Sequence, residues 1–154
     1  NTPWRGAKIQ AFEGGIRTPL VARWPRVIKK RNAITSQAGH VIDLMATCLD
    51  VAGISYPENF EGRTPLPLEG KSLVPVFRGE NREPHEALCW RVPNGKAIRV
   101  GKWKLVAVPE KETWELFDLE KDPFESDNLA GKYPDRVAAM NTRFDEWNRR
   151  VGVH

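Results

Sequence analysis

Glu86-Ala87-Leu88-Cys89-Trp90-Arg91-Val92-Pro93-Asn94-Gly95-Lys96-Ala97-Ile98-Arg99-Val100-Gly101-Lys102-Trp103-Lys104-Leu105-Val106-Ala107-Val108 is the stretch on which the fold turns. Three short runs in it, 86–92, 96–100 and 103–108, are rich in Val, Leu and Trp, and a fourth follows at 112–119. Turn residues separate them: Pro93-Asn94-Gly95, Gly101-Lys102 and Pro109-Glu110-Lys111. Connections that short join neighbouring antiparallel strands, so the four runs predict a meander. Beyond them Pro134 opens a helix whose Val137, Met140, Phe144 and Trp147 recur at i, i+3, i+7 and i+10. That apolar stripe suits one face of a sheet. The predicted class is α+β, with a helix packed on a four-stranded antiparallel sheet over 85–150.

Upstream, the charged, apolar-poor segment 80–84 marks a boundary between residues 1–79 and 80–154. Ser72 is placed to cap a short helix running to Val76 or Phe77, with Gly79 closing it. Residues 54–70, with Pro57, Pro65, Pro67, Gly62 and Gly70, predict an irregular surface segment. Over 42–52, Leu44, Cys48 and Val51, flanked by Met45, Leu49 and Ala52, have helical spacing, and Gly53 can end that helix at positive φ. Thr18-Pro19-Leu20-Val21-Ala22-Arg23-Trp24 reads as a strand stopped by Pro25, and residues 1–17 read as loop. A lone strand and helix cannot complete a large sheet, so the chain is expected to be a piece of a longer protein. Asn1 is not an initiator methionine, so the natural N-terminus and any leader are expected upstream.

With 154 residues and 40% apolar content the chain can bury a core, and no apolar run is long enough to cross a bilayer. No membrane partner is expected. The net charge of +4 is scattered except at Lys29-Lys30-Arg31 and Arg149-Arg150, which argues against a nucleic-acid face. Cys48 and Cys89 lack zinc-ligand spacing and predict two free, buried thiols.

The stretch Arg5-Gly6-Ala7-Lys8-Ile9-Gln10-Ala11-Phe12-Glu13-Gly14-Gly15-Ile16-Arg17-Thr18-Pro19 places Arg5, Lys8 and Arg17 around one acid, Glu13. The glycine pair would let the backbone take positive φ and present its N–H groups, as anion-binding loops do. Lys8 is a compact point charge with three donors, suited to a tetrahedral oxyanion. The same residues also suit a solvated, charged turn.

Gly-x-Lys at 6–8, Phe12-Glu13-Gly14-Gly15-Ile16-Arg17-Thr18-Pro19 and then Arg23-Trp24-Pro25 resemble the lysine loop of the sulfatase family. Three more segments are similar to that family in order: His40-Val41-Ile42-Asp43-Leu44-Met45-Ala46-Thr47, Gly70-Lys71-Ser72-Leu73-Val74-Pro75-Val76-Phe77-Arg78-Gly79, and Trp114-Glu115-Leu116-Phe117-Asp118-Leu119-Glu120-Lys121-Asp122-Pro123-Phe124-Glu125. Together they span nearly the whole chain. The resemblance implies that 80–154 is a C-terminal sulfatase subdomain and that 1–79 is the last portion of an alkaline-phosphatase-like α/β domain. It implies a catalytic, sulfate-contacting role for Lys8, supported by Glu13 and Arg17. It also implies a formylglycine nucleophile made from a "C/S-x-P/A-x-R" motif, which this chain lacks: Cys48 precedes Leu-Asp-Val-Ala and Cys89 precedes Trp-Arg-Val-Pro.

Calcium is expected by the same resemblance in the full-length enzyme, on two Asp near its start and an Asp-Asn pair just before the lysine loop, with none bound by this chain. Asn1 is followed by Thr2-Pro3 rather than Gly and is not taken as a remnant of that pair. The implied partners are a sulfate-ester substrate, a sulfated sugar or aryl ester, and the missing N-terminal catalytic domain. Periplasmic, secreted or lysosomal-like compartments fit. The chain alone is expected to be inactive.

His40 reads as a packing or capping residue, and His85 and His154 as exposed. Some arylsulfatases have a pocket histidine after the third strand, where Val106-Ala107-Val108-Pro109 offers none. Trp90, Arg91, Trp103 and Lys104 could form an aromatic, basic face toward a sugar, although tryptophan in a strand is usually core. Asp118, Asp122 and Glu125 have the spacing of a hydrogen-bonded turn rather than a cation loop. The alternative function is a non-catalytic module binding acidic or sulfated glycans; upstream sequence bearing the nucleophile motif and paired aspartates separates the two. A phosphatase or phosphodiesterase relative is a remoter third reading.

Overall fold

The computed structural model describes residues 2–107 and 113–152. Its elements are α1 (Glu13–Ile16), α2 (Asp43–Ala52), α3 (Val74–Arg78), β1 (Leu88–Val92), β2 (Gly95–Val100), β3 (Trp103–Ala107), β4 (Trp114–Asp118) and α4 (Pro134–Arg150). The strands form one antiparallel sheet in the order β1-β2-β3-β4, the predicted meander. Val92 pairs with Gly95 and Val100 with Trp103, so both hairpins close through two-residue loops, the second with Gly101 at φ 57°. Val108, the Pro109-Glu110-Lys111 turn, Glu112, Asn1 and His154 lie outside the described residues.

Because side chains alternate along a strand, each strand feeds two faces. Ile98, Leu105 and Leu116 lie on one face and pack with Met140 and Phe144 of α4, while Val137 and Trp147 are only partly buried there. The helical stripe therefore finds its sheet, but Phe144, 1% exposed, is its buried centre and Trp147 its edge. Ala97, Val106 and Phe117 lie on the opposite face, and their cover is Ala11 and Phe12. The helical periodicity predicts a cover for one face only. The second cover comes from the far end of the chain, about a hundred residues away in sequence.

The chain divides into two compact units, residues 1–19 with 85–154, and residues 20–84. The first 19 residues thus belong to the unit that holds the sheet. Those first residues are not all loop, since Glu13–Ile16 forms a single helical turn.

Within the second unit α2 ends at Gly53, φ 66°, as its sequence predicts. Asp43, fully buried, is its organising group. It accepts from His40 N (2.8 Å), Lys71 N (2.9 Å) and Arg82 (2.9 Å). Arg82 also donates to the Lys71 and Ala38 carbonyls, so the buried carboxylate is paired and hydrogen-bonded. Leu73, not the predicted Ser72, is the N-cap residue of α3; Ser72 Oγ, one position earlier, accepts from Val74 N at 3.1 Å, and Gly79 ends the helix with φ 84°. Residues 54–70 hold no helix or strand.

Two expectations fail here. Residues 18–24 form no strand, and Val21 is 90% exposed. Their β-like composition expresses a preference for a half-buried pleated surface, and among the described residues no neighbouring strand supplies one. Cys48 is exposed rather than buried, on the same side of α2 as the exposed Leu44, Met45 and Val51. The free Cys89 is half-buried, and burial pushes its thiol up to about 12.

Candidate functional site

The lysine loop is built from a tight turn. Gln10 N donates to the Ala7 carbonyl at 3.1 Å and Ala7 N donates to Gln10 Oε1 at 2.9 Å, leaving Lys8 and Ile9 as the two central residues. Ile9 takes φ 71°, a left-handed conformation that a β-branched residue adopts only when its surroundings impose it. The imposing contact lies on the sheet, where Asn94 N in the β1–β2 loop donates to the Ile9 carbonyl at 3.2 Å and Gln10 bridges to Asn94. Lys8 stands exposed on the outside of this turn.

The glycine pair does not act as predicted. Gly14 N donates to the Arg5 carbonyl at 2.7 Å and Gly15 N to the Phe12 carbonyl at 2.8 Å, so both groups are engaged inside the loop. Neither glycine takes positive φ; Gly6 and Ile9 do. Glycine is required because the loop closes on itself: a Cβ at Gly14 would meet the Gly6 carbonyl oxygen at 2.3 Å, and one at Gly15 the Gln10 carbonyl oxygen at 2.0 Å.

Below the turn the loop is fastened to the sheet by charge. Arg5 spans Glu115 of β4 with two hydrogen bonds, 2.6 and 3.3 Å, and donates to the Glu125 carbonyl at 3.1 Å while lying 4.0 Å over the Phe12 ring. Glu13 is buried. Its Oε1 lies 2.8 Å from Lys104 Nζ of β3, and its backbone N–H donates to Glu125 Oε2 at 2.6 Å. Lys104 Nζ reaches Glu125 Oε1 at 2.7 Å. Arg17 stands 3.7 Å from Glu13 and stacks on Trp4 at 3.9 Å, and Trp4 meets Phe124 at 5.2 Å. Burial pushes the Glu125 carboxyl up; the Lys104 ammonium and the Glu13 N–H pull against that, and the raised direction prevails.

Of the residues predicted for the site, Glu13 and Arg17 do pair. Glu13 is bound far more closely by Lys104 and Glu125, two residues outside the predicted support of the loop. Lys104 is corrected most sharply: as a candidate for a sugar-facing surface with Trp90, Arg91 and Trp103, it is instead 0% exposed. Strand alternation carries the signal that could have found it. Lys104 shares its face with Val106, and Glu115 with Phe117, so a sheet covered on both sides must take these charges inward and pair them.

His40 lies just before α2, half-buried, its Nδ1 accepting from Ile42 N at 3.4 Å, and the N-cap of that helix is Ile42. His85 is half-buried rather than exposed. The acidic segment after β4 is the predicted turn, in which Asp122 accepts from Ser126 N, Ser126 Oγ and Asp127 N, each at 2.8 Å. Among the described residues no group of three or more His, Cys, Asp and Glu could hold a metal ion. Likewise, no described helix is long and apolar enough to cross a membrane.

Burial pushes the Asp122 carboxyl up, but its backbone and hydroxyl donors outweigh burial and hold it below the ordinary 3.8. A depressed carboxyl contributes stability that is present above the ordinary value and is lost as pH falls through the folded-state value. Urea midpoints followed by tryptophan fluorescence should therefore fall on acidification below about pH 4, and less so in Asp122→Asn. Comparing the two chains isolates Asp122 from Glu125, whose raised value works in the opposite direction. Equal acid slopes in both would refute the assignment.

The family model described as "N-sulphoglucosamine sulphohydrolase, C-terminal" matches residues 7–149. The chain belongs to this family of sulfatase C-terminal domains. The matched span takes in Lys8, Glu13, Arg17, Lys104 and Glu125 together. An uncharacterized sulfatase of Schizosaccharomyces pombe is 33% identical over 94% of this chain and 26% of its own length. Human arylsulfatase K is 29% identical over 88% of this chain and 26% of its own. A solved Bacteroides thetaiotaomicron sulfatase structure, described under the metabolism of multiple glycosaminoglycans, superposes with TM-score 0.72 at 25% identity, over 95% of this chain and 32% of its own. This sulfatase C-terminal domain spans about a quarter of the length of the curated relatives it matches.

Proposed function

We propose that the chain is the part of a sulfate-ester hydrolase that presents Lys8 to the sulfate group of a sulfated carbohydrate or aryl ester. The observation that carries this reading is the mounting of the lysine turn. One exposed ammonium sits on a closed, strained turn, and that turn is tied to the β1–β2 loop, to β3 and β4, and to the segment after β4. Exposed lysines on ordinary surfaces have no such scaffold, and preorganised sites do. Lys8 would donate to a sulfate oxygen and strengthen that contact as negative charge shifts toward the bridging oxygen. The formylglycine nucleophile and the calcium site would come from sequence outside this chain; calcium, when bound, would neutralise sulfate oxygens.

The direct test is aryl-sulfatase turnover by an intact enzyme carrying this chain, compared between Lys8→Ala and a control at Lys29. A second expectation concerns the 154-residue chain by itself, which should fold around its sheet and hydrolyse no sulfate ester. Turnover of a chromogenic aryl sulfate by the purified chain, well above its Lys8→Ala variant, would show that the chemistry is complete within it.

A further inference from the structure

We propose that Lys104 on β3 and Glu125 in the turn after β4 are positioning residues for Lys8: they grip Glu13 from two sides and thereby set where the lysine turn stands. This rests on the reading of Lys8 as the sulfate contact.

Lys104 and Glu125 are both fully buried, and they converge on one residue of the loop. Lys104 Nζ holds the Glu13 carboxylate at 2.8 Å, while Glu125 Oε2 accepts from the Glu13 backbone N–H at 2.6 Å. The 2.7 Å pair between Lys104 and Glu125 Oε1 closes the triangle. One contact fixes the side chain of Glu13 and the other its backbone, so both position and direction are set. A trio of apolar side chains of similar volume could bury as much area and stabilise the fold as well. It would not fix a direction, because apolar packing is non-directional and charge-assisted hydrogen bonds are not.

The constraint has a short route to Lys8. Gly14, next to Glu13, is bonded to the Arg5 carbonyl at 2.7 Å, and neither Gly14 nor Gly15 leaves room for even a Cβ against the Gly6 and Gln10 carbonyls. Gln10 in turn closes the turn that carries Lys8. A loop this tightly closed passes a displacement of Glu13 to the turn with little slack. The sheet thus contributes to the sulfate site without touching it.

The test is a double-mutant cycle in the intact enzyme, with 4-nitrophenyl sulfate as the probe and thermal unfolding recorded for every variant. Lys104→Met is expected to lower kcat more than it raises KM, by about tenfold to a hundredfold, since displacements of about 1 Å at a reacting group can cost that much. In a Lys8→Ala background the same substitution should cost less than about twofold, because its target is already gone. A loss of activity through general destabilisation would instead recur in full in that background. If Lys104→Met does not fold, Glu125→Gln takes its place in the cycle, since it removes a charge and keeps an acceptor for the Glu13 N–H. A crippled Lys8→Ala on which the second substitution takes its full toll again overturns this proposal alone. A Lys8→Ala as active as the parent overturns the reading of Lys8, and this proposal with it.

Discussion

Replacing Lys8 by alanine in an intact enzyme carrying this chain is expected to lower kcat/KM on the order of a hundredfold or more, the usual effect of deleting one preorganised donor to developing negative charge. The loss should fall on kcat as well as on KM, because the contact is worth most where charge on the sulfate oxygens is greatest. Arginine should rescue little. Its guanidinium is planar and forked, and it would carry its charge farther from a turn whose geometry is held by the Ala7–Gln10 hydrogen bond and by Asn94 at the Ile9 carbonyl. The control is Lys29→Ala, in the separate unit spanning residues 20–84, which should stay near parental activity. Small and equal losses at Lys8 and Lys29 would show that the turn is an ordinary charged surface, and the role of Lys8 would be withdrawn.

Phe144→Ala should cost the 154-residue chain roughly 3 to 5 kcal/mol of stability, the range for emptying a large buried aromatic site. Phe144 sits between Ile98, Leu105 and Leu116 of the sheet and Met140 of its own helix. It takes the edge of Trp114 at 5.8 Å and packs on Trp147 at 5.5 Å. A cavity there would open at the centre of the helix–sheet layer, with rigid strands on one side that cannot collapse into it. Trp147→Ala, at the half-buried edge, should cost clearly less despite its larger side chain. Urea unfolding of both variants decides the order. A larger loss at Trp147, or a loss below about 1 kcal/mol at Phe144, the size of ordinary surface effects, would mean that α4 does not pack as described.

The meander and its helix were legible in the chain because they depend on local signals. Two-residue turns select antiparallel neighbours, and a stripe at helical spacing needs only one apolar face to lie on. The same holds for the ends of α2 and α3, at Gly53 and Gly79. The segment 18–24 misled for a related reason: its alternation describes a strand's preferred surroundings, and pairing requires a neighbour.

What decided the candidate site was long-range. Ala11 and Phe12 cover the far face of the sheet, and that cover is what turns Lys104, Glu115 and Glu125 from plausible surface charges into groups that must be paired. Read along the chain, Glu13 and Arg17 are the obvious partners, four residues apart. In space Glu13 answers to Lys104, 91 residues on, at 2.8 Å, against 3.7 Å for Arg17. Sequence order could place a lysine beside two glycines, but only folding showed that the glycines close the loop on itself and that the sheet holds it. A buried charge is satisfied by whatever the tertiary fold brings within reach, and separation along the chain does not limit that choice.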